Sequence, residues 1–312
     1  MQAAHTRCLR GAHVKIRFVN ADLHCHSTAS DGLLKPDELA ERARNRGIDL
    51  LALTDHDGVS ALAAMRVAAE SRGIGFVDGV EISACWGAIG IHVLGLGIDP
   101  QHAGLVAGLQ GIRDSRAGRA RAMGESLAKA GIDGALEGAM AYAGNPSLLS
   151  RTHFARFLVQ AGHANDVKNV FQRYLVEGKP GYVEHQWARL EDAVNWIRDS
   201  GGQAVVAHPG RYGLTEAEMR EFLGTFKDLG GAGIEVVSGA HTPDQNGDFA
   251  VWARQFGFLG SRGSDFHGPG ESKVDLGKVM ALPAGIEPVW NVLMEKAADR
   301  VPHPPHSATV LA

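Results

Sequence analysis

Residues of metal-ligating type recur at the ends of short apolar runs, and this placement limits the available folds more than any other feature. Asp22, His24 and His26 alternate at the end of an apolar run over 16–23. Asp55, His56 and Asp57 follow the run 49–54, Glu81 ends 75–82, and His92 begins 91–97. His208 closes 203–208, while Asp265 and His267 follow the run 258–260. Further strand-like runs cover 233–238 and 278–282, and amphipathic patterns over 36–46 and 59–72 read as helices, the first opening on Pro36. Short apolar strands alternating with helices predict parallel strands joined by crossovers, the α/β class. In a barrel of this class the strand C-termini converge on one rim. Ligand-type residues at five or more strand ends therefore meet in one place, which packing alone does not explain.

Residues 101–174 break the rhythm, with helical patterning and no strand. They read as a helical cap inserted into a barrel formed by 16–100 and 175–301, with 1–15 and 302–312 as tails. A length of 312 residues accommodates this without a disulfide or a structural metal for folding. The 31 basic residues face 35 acidic ones, which excludes nucleic-acid binding by bulk charge. Cys8, Cys25 and Cys85 form no CxxC pair and leave an odd thiol, so a reducing compartment is expected. No apolar run approaches the ~18 residues of a membrane span, and the first twenty lack a signal-peptide hydrophobic region. A cytoplasmic protein without a membrane span is expected.

Strand periodicity puts Asp22, His24 and His26 on one face, with Cys25 on the other. Imidazoles and carboxylates without an organised thiolate suit Zn²⁺, Mn²⁺ or Fe²⁺, and argue against an all-oxygen Ca²⁺ or Mg²⁺ cage. His24, His26, Asp31, His56, Glu81, His92, His153, Asp265 and His267 are too many for one tetrahedral ion and suit two or three. Glu81 is the natural bridge, because a carboxylate has two oxygens. A hydroxide held between two ions is a nucleophile at neutral pH, and the ions neutralise a phosphoryl oxyanion. Asp22, Asp55 and Asp57 are expected behind the ligands, Asp22 orienting an imidazole. Arg116 and Arg119 share a helix face, and Arg151 precedes the His153 motif. Their planar forks suit a phosphate that is held but not cleaved. His208, left without an ion, is expected to donate to a phosphate or protonate the leaving alkoxide.

The ordered set DLHCHSTASDG, TDHD, GVEIS, IHVLG, RTHFARFLV, AHPG and GSDFHG, from about Asp22 to Gly268, resembles the PHP (polymerase and histidinol phosphatase) family. Within it the resemblance is strongest to stand-alone phosphoesterases of the 3′,5′-nucleoside bisphosphate phosphatase and 5′→3′ exoribonuclease type. The resemblance implies a distorted (β/α)₇ barrel with two or three divalent ions at the strand C-terminal rim, manganese first, iron or zinc as alternatives. It implies that His24, His26, Glu81 and Asp265 hold one ion, and that Glu81 bridges to a second completed by His92 and His153. Asp31, His56 and His267 would hold a third, with Asp31 standing where the family often has a histidine. The implied reaction is hydrolysis of the 3′-phosphate of a nucleoside 3′,5′-bisphosphate, with Glu81, Asp265 and His208 nearest the chemistry. The implied partner is a small nucleotide or a short RNA end, with no obligatory protein partner. Alternatives are 5′→3′ trimming of 5′-phosphorylated RNA, histidinol-phosphate hydrolysis, amidohydrolase chemistry and a non-enzymatic scaffold. The extra arginines count against histidinol phosphate. An amidohydrolase would be expected to carry a bridging lysine, and a scaffold to have lost ligands.

Overall fold

A computed structural model describes residues 20–185 and 187–299. Both expected tails, Cys8 and the start of the first apolar run lie outside them. Seven strands follow one another around a nearly closed barrel: β1 (Ala21–Asp22), β2 (Leu50–Leu53), β3 (Gly75–Trp86), β4 (Ile89–Leu96), β6 (Gln203–Val206), β7 (Gly233–Ser238) and β8 (Leu259–Gly263). A two-residue strand, β5 (Ala188–Arg189), pairs with the far end of β3. Backbone bonds from Leu23 to Arg262, Asp265 to His24 and His26 to Phe266, at 2.9–3.0 Å, join the first strand to the last. They also bring the two ligand-rich segments side by side.

The expectation of uniformly parallel strands fails at β4, which runs antiparallel to both β3 and β6. Only Gly87 and Ala88 separate β3 from β4, and Gly87 adopts φ +59°, so the chain reverses in a hairpin instead of crossing over. The reversal places His92, near the start of β4, on the rim that the other strands reach at their ends. The segment 278–282 is also not a strand. Its Val279 carbonyl accepts from Arg262 Nη2 at 2.7 Å, while Gly260 of β8 pairs with Glu287 and Pro288. Its apolar residues pack on β8 without joining the sheet.

Alternation along β2 separates two layers of core. Leu51 and Leu53 join the helices α1 (Pro36–Asn45), α2 (Leu62–Glu70), α7 (Leu190–Asp199), α8 (Glu216–Asp228) and α9 (Pro243–Phe256) in the outer layer. Leu50 and Ala52 face the interior, which Val289, Trp290 and Leu293 of α10 (Val289–Asp299) close. Each large aliphatic or aromatic side chain buried in this way contributes about 1.5–3 kcal/mol.

Between β4 and β5 lie α3 (Ala103–Lys129), α4 (Ala135–Met140), α5 (Arg151–Gln160), α6 (Val167–Val170) and a π-helical turn, Phe171–Leu175. Leu105, Leu109 and Ile112 of α3 pack into the barrel's outer layer, whereas Ala120, Met123 and Leu127 join Phe154, Leu158 and Leu175 in a separate core. One long helix thus carries the cap while anchored in the barrel. No described helix is long and apolar enough to cross a membrane.

Candidate metal centre

The rim gathers its polar residues through backbone pairing. Asp57 N donates to Glu81 O at 2.9 Å and Glu81 N to Asp55 O at 3.2 Å, which sets His56 beside Glu81. In the hairpin, His92 stands opposite Ser83, two residues beyond Glu81. Asp57, His208 and Asp265 are the described non-glycine residues with positive φ, at 46°, 25° and 53°. Such conformations persist only where the surroundings enforce them, and all three lie on this rim.

Three sets of potential ligand atoms result, each within 4.8 Å of one another. In the first, the Nε2 atoms of His24 and His26 lie 3.3–3.4 Å from Glu81 Oε2 and Asp265 Oδ1. The second comprises His56, Glu81 and His92, with His92 Nδ1 2.7 Å from Glu81 Oε1. His208 Nε2 joins it, 2.9 Å from the same oxygen and 3.3 Å from His92 Nδ1. In the third, Asp31 Oδ1 is 3.4 Å from His267 Nε2, 3.8 Å from His56 Nε2 and 3.9 Å from His26 Nδ1. Glu81 thereby faces two sets with its two oxygens.

Burial opposes charge on Glu81, yet the imidazoles of His92, His56 and His24 hold its carboxyl well below the usual range. Asp31 and Asp265 are likewise held low against burial, by His56 and His267 in one case and by His24 and His26 in the other. Burial pushes His56 down to about 3 and His208 down to about 4, so both rings are neutral donors at pH 7. His26 is pushed up to about 10, because the adjacent carboxylates of Asp265 and Glu81 outweigh its burial. Asp31 Oδ1, Glu81 Oε2 and His26 Nδ1 are buried without a hydrogen-bond partner. Buried polar atoms are normally paired, and ionised carboxylates beside imidazole nitrogens are the donor chemistry of Zn²⁺, Mn²⁺ or Fe²⁺. The residues fit such ions.

Several expected residues occupy other positions. The structure does not bring His153 to His92. Near the start of α5, its Nδ1 accepts from Ser150 N at 3.0 Å, and its ring hydrogen-bonds the backbone of Ser30. Beside His92, the place expected for His153 is taken by His208. Asp22 orients no imidazole but accepts from the backbone of Ser264 and Gly277, each at 2.8 Å. Asp55 ties the Ser27 and Ser30 hydroxyls, at 2.7 and 2.6 Å, while Asp57 binds Ser83 and Arg116. The imidazole-orienting carboxylate is Glu235, which was not anticipated. It is fully buried in β7, with Oε1 3.0 Å from His24 Nδ1 and Oε2 accepting from His208 N at 2.5 Å. One carboxylate inside the otherwise apolar run GIEVV was the signal, since a buried charge needs dedicated partners.

A cleft of about 450 Å³ opens over the rim, lined by Arg116, Arg119, Arg151, Trp187, Phe171 and Arg211 besides the ligand sets. Arg116 is committed within the protein: its Nε donates to Asp57 Oδ2 at 2.9 Å and its Nη2 to Ser83 Oγ at 3.0 Å. Arg119 and Arg151 differ. Arg119 has a 3.4 Å bond to Val183 O and stacks 5.2 Å from the Trp187 ring, while Arg151 lies 5.6 Å from the Phe171 ring. Neither has an ion pair among the described residues. Burial, aided by neighbouring arginines, lowers the pKa of both, Arg119 to about 9. Arg119 is buried and Arg151 half-buried, and cations so placed attract an anionic ligand. Arg211, three residues beyond His208 and not anticipated, reaches Asp265 Oδ2 at 3.2 Å.

The PHP domain model matches residues 22–204. The chain is 51% identical over 276 residues to a 3′,5′-nucleoside bisphosphate phosphatase of Chromobacterium violaceum, covering 88% of this chain and 97% of that one. It is 41% identical over 273 residues to the 5′-3′ exoribonuclease Rnm of Escherichia coli, covering 87% and 92%. A solved amidohydrolase from Chromobacterium violaceum, with sulfate bound, superposes with a TM-score of 0.87 at 50% identity, covering 89% of this chain and 97% of that structure.

Proposed function

The chain belongs to the PHP domain family of metal-dependent phosphoesterases, and from that premise we propose that it hydrolyses the 3′-phosphate of nucleoside 3′,5′-bisphosphates. The observation that carries this reading is the pair Arg119, buried, and Arg151, half-buried, without carboxylate partners among the described residues and set over the candidate metal centre. Each guanidinium offers a planar fork to phosphate oxygens. A substrate with two phosphates meets both demands, one group at the ligand sets and the other at the arginines. The similarity to a nucleoside bisphosphate phosphatase supports it.

In this reading His24, His26, Glu81 and Asp265 would hold one ion, Glu81, His92 and His208 a second, and Asp31, His56 and His267 a third. Such ions supply Lewis-acid activation of water and neutralise charge on phosphoryl oxygens. His208 would serve as a ligand here, because its Nε2 lies 2.9 Å from Glu81 Oε1 and 3.3 Å from His92 Nδ1. Glu81 joins two of the sets through its two oxygens. Arg119 and Arg151 orient the uncleaved phosphate, and Trp187 and Phe171 hold these guanidiniums in place by stacking. Stepwise 5′→3′ removal of nucleotides from 5′-phosphorylated RNA is the second reading, favoured by the similarity to the exoribonuclease. It uses the same residues on a longer substrate.

Phosphate release from adenosine 3′,5′-bisphosphate, with Mn²⁺ and with chelator, tests the proposal beside adenosine 3′-monophosphate and a 5′-phosphorylated trinucleotide. Metal-dependent turnover of the bisphosphate, at least about tenfold above the 3′-monophosphate, is expected from one charge-assisted phosphate contact. Equal turnover of the two nucleotides overturns the arginine assignment. Faster turnover of the trinucleotide moves the conclusion to the second reading.

A further inference from the structure

Glu235 sits where two ligand sets can be controlled together. Its Oε1 lies 3.0 Å from His24 Nδ1, the placement in which the ring donates to it through Nδ1. Nε2, the other ring nitrogen, faces Glu81 and Asp265, each at 3.4 Å. Its Oε2 accepts from the backbone N–H of His208 at 2.5 Å, at a residue with φ +25°. That bond holds the turn from which the His208 ring reaches Glu81 and His92. Around Glu235 the register of β7 against β8 shifts. Gly263 of β8 leaves room for the pair: a Cβ there would come within 2.3 Å of His24 Cβ and 2.9 Å of Glu235 Oε1.

We propose that Glu235 is a positioning residue that locks ligands of two metal sets at once, fixing the His24 tautomer with one oxygen and the His208 backbone with the other. The inference rests on the assignment of these histidines as ligands, and is independent of which phosphate ester is hydrolysed. Glu235→Gln keeps the shape but replaces one acceptor by an NH₂ donor. The amide can then satisfy His24 Nδ1–H or the His208 N–H, but not both.

The test is zinc binding, by competition with a chromophoric chelator and by metal content, in wild type, Glu235→Gln and His208→Asn. Loss of an orienting partner typically weakens metal binding about 10–100-fold. Glu235→Gln is expected to weaken two zinc equivalents together, whereas His208→Asn weakens one, with the melting temperatures of the metal-free proteins retained. Unchanged zinc affinity in Glu235→Gln, or weakening of a single equivalent, overturns the proposal. If that variant fails to fold, ¹H–¹⁵N spectra of the zinc-loaded wild type decide: a proton on His24 Nδ1 supports it, and one on Nε2 overturns it. Zinc binding and the tautomer are read without substrate, so failure to release phosphate from the bisphosphate leaves this result standing.

Discussion

Ser150 Oγ donates to Asp31 Oδ2 at 2.9 Å, while Asp31 Oδ1, without a hydrogen bond, faces His267 and His56. A cap residue thus holds one oxygen of a carboxylate whose other oxygen points into the ligand cluster. Ser150 is also the N-cap of α5. Cap and rim are joined again by Arg156, which pairs with Glu271 and donates to Asp31 O at 2.6 Å.

Ser150→Ala removes both functions. We expect a stability loss of about 1 kcal/mol from the missing cap, and about tenfold weaker binding of one zinc equivalent as Asp31 loses its anchor. Thermal melts and metal titration measure the two effects. Ser150→Thr, which keeps the hydroxyl, is expected to preserve both, and full zinc affinity in Ser150→Ala would refute the link.

The arginines over the cleft separate by their partners. From sequence, Arg116→Ala is expected to weaken bisphosphate binding far more than hydrolysis of a small aryl phosphate. The structure adds a second consequence, because the Arg116–Asp57 pair is buried on both sides. Removing Arg116 leaves Asp57 unpaired and should cost about 3–5 kcal/mol of stability. Arg119→Ala lacks that effect: its melting temperature without ligand should be unchanged or higher, while KM for the bisphosphate rises about 10–100-fold. Steady-state kinetics with an aryl phosphate control distinguish a binding loss from a general one.

At the barrel's side, Asp275 accepts from Arg42 Nε and Nη2 at 2.7 and 2.8 Å, and from Arg46 Nε at 2.8 Å. Burial opposes its ionisation, but the Arg42 bonds and charge outweigh it and hold the carboxyl below 3.8. A lowered folded pKa means that the stabilisation is present above the unfolded value and lost as pH falls through the folded one. Asp275→Asn should therefore melt earlier at pH 7, by about 1 kcal/mol for these partly exposed groups. The difference should disappear as the pH falls through the lowered folded value. A gap that persists there would locate the effect elsewhere.

Much of the rim was legible because ligand chemistry needs particular residue types, and strand periodicity aims them. The ends of β1, β2 and β8 carry His24, His26, His56, Asp265 and His267 in local patterns that survive without knowledge of the fold. The helical character of 101–174 was legible for the same reason, since helical spacing is local. The direction of β4 was not, because reversal depended on two residues after Trp86 that an apolar pattern does not distinguish from a longer connection.

What the sequence determined by itself was the inventory: an α/β chain carrying imidazoles and carboxylates at strand ends, with a helical insertion rich in arginine. Tertiary structure decided which members of that inventory meet. It set His208 beside His92 and turned His153 to Ser150, and it paired Arg116 with Asp57 while leaving Arg119 and Arg151 without a carboxylate partner among the described residues. It also revealed Glu235, 211 residues from His24 in the chain. The physical reason is range: periodicity fixes the face on which a side chain lies. The partner that satisfies a buried charge is chosen by whichever strands close the barrel around it.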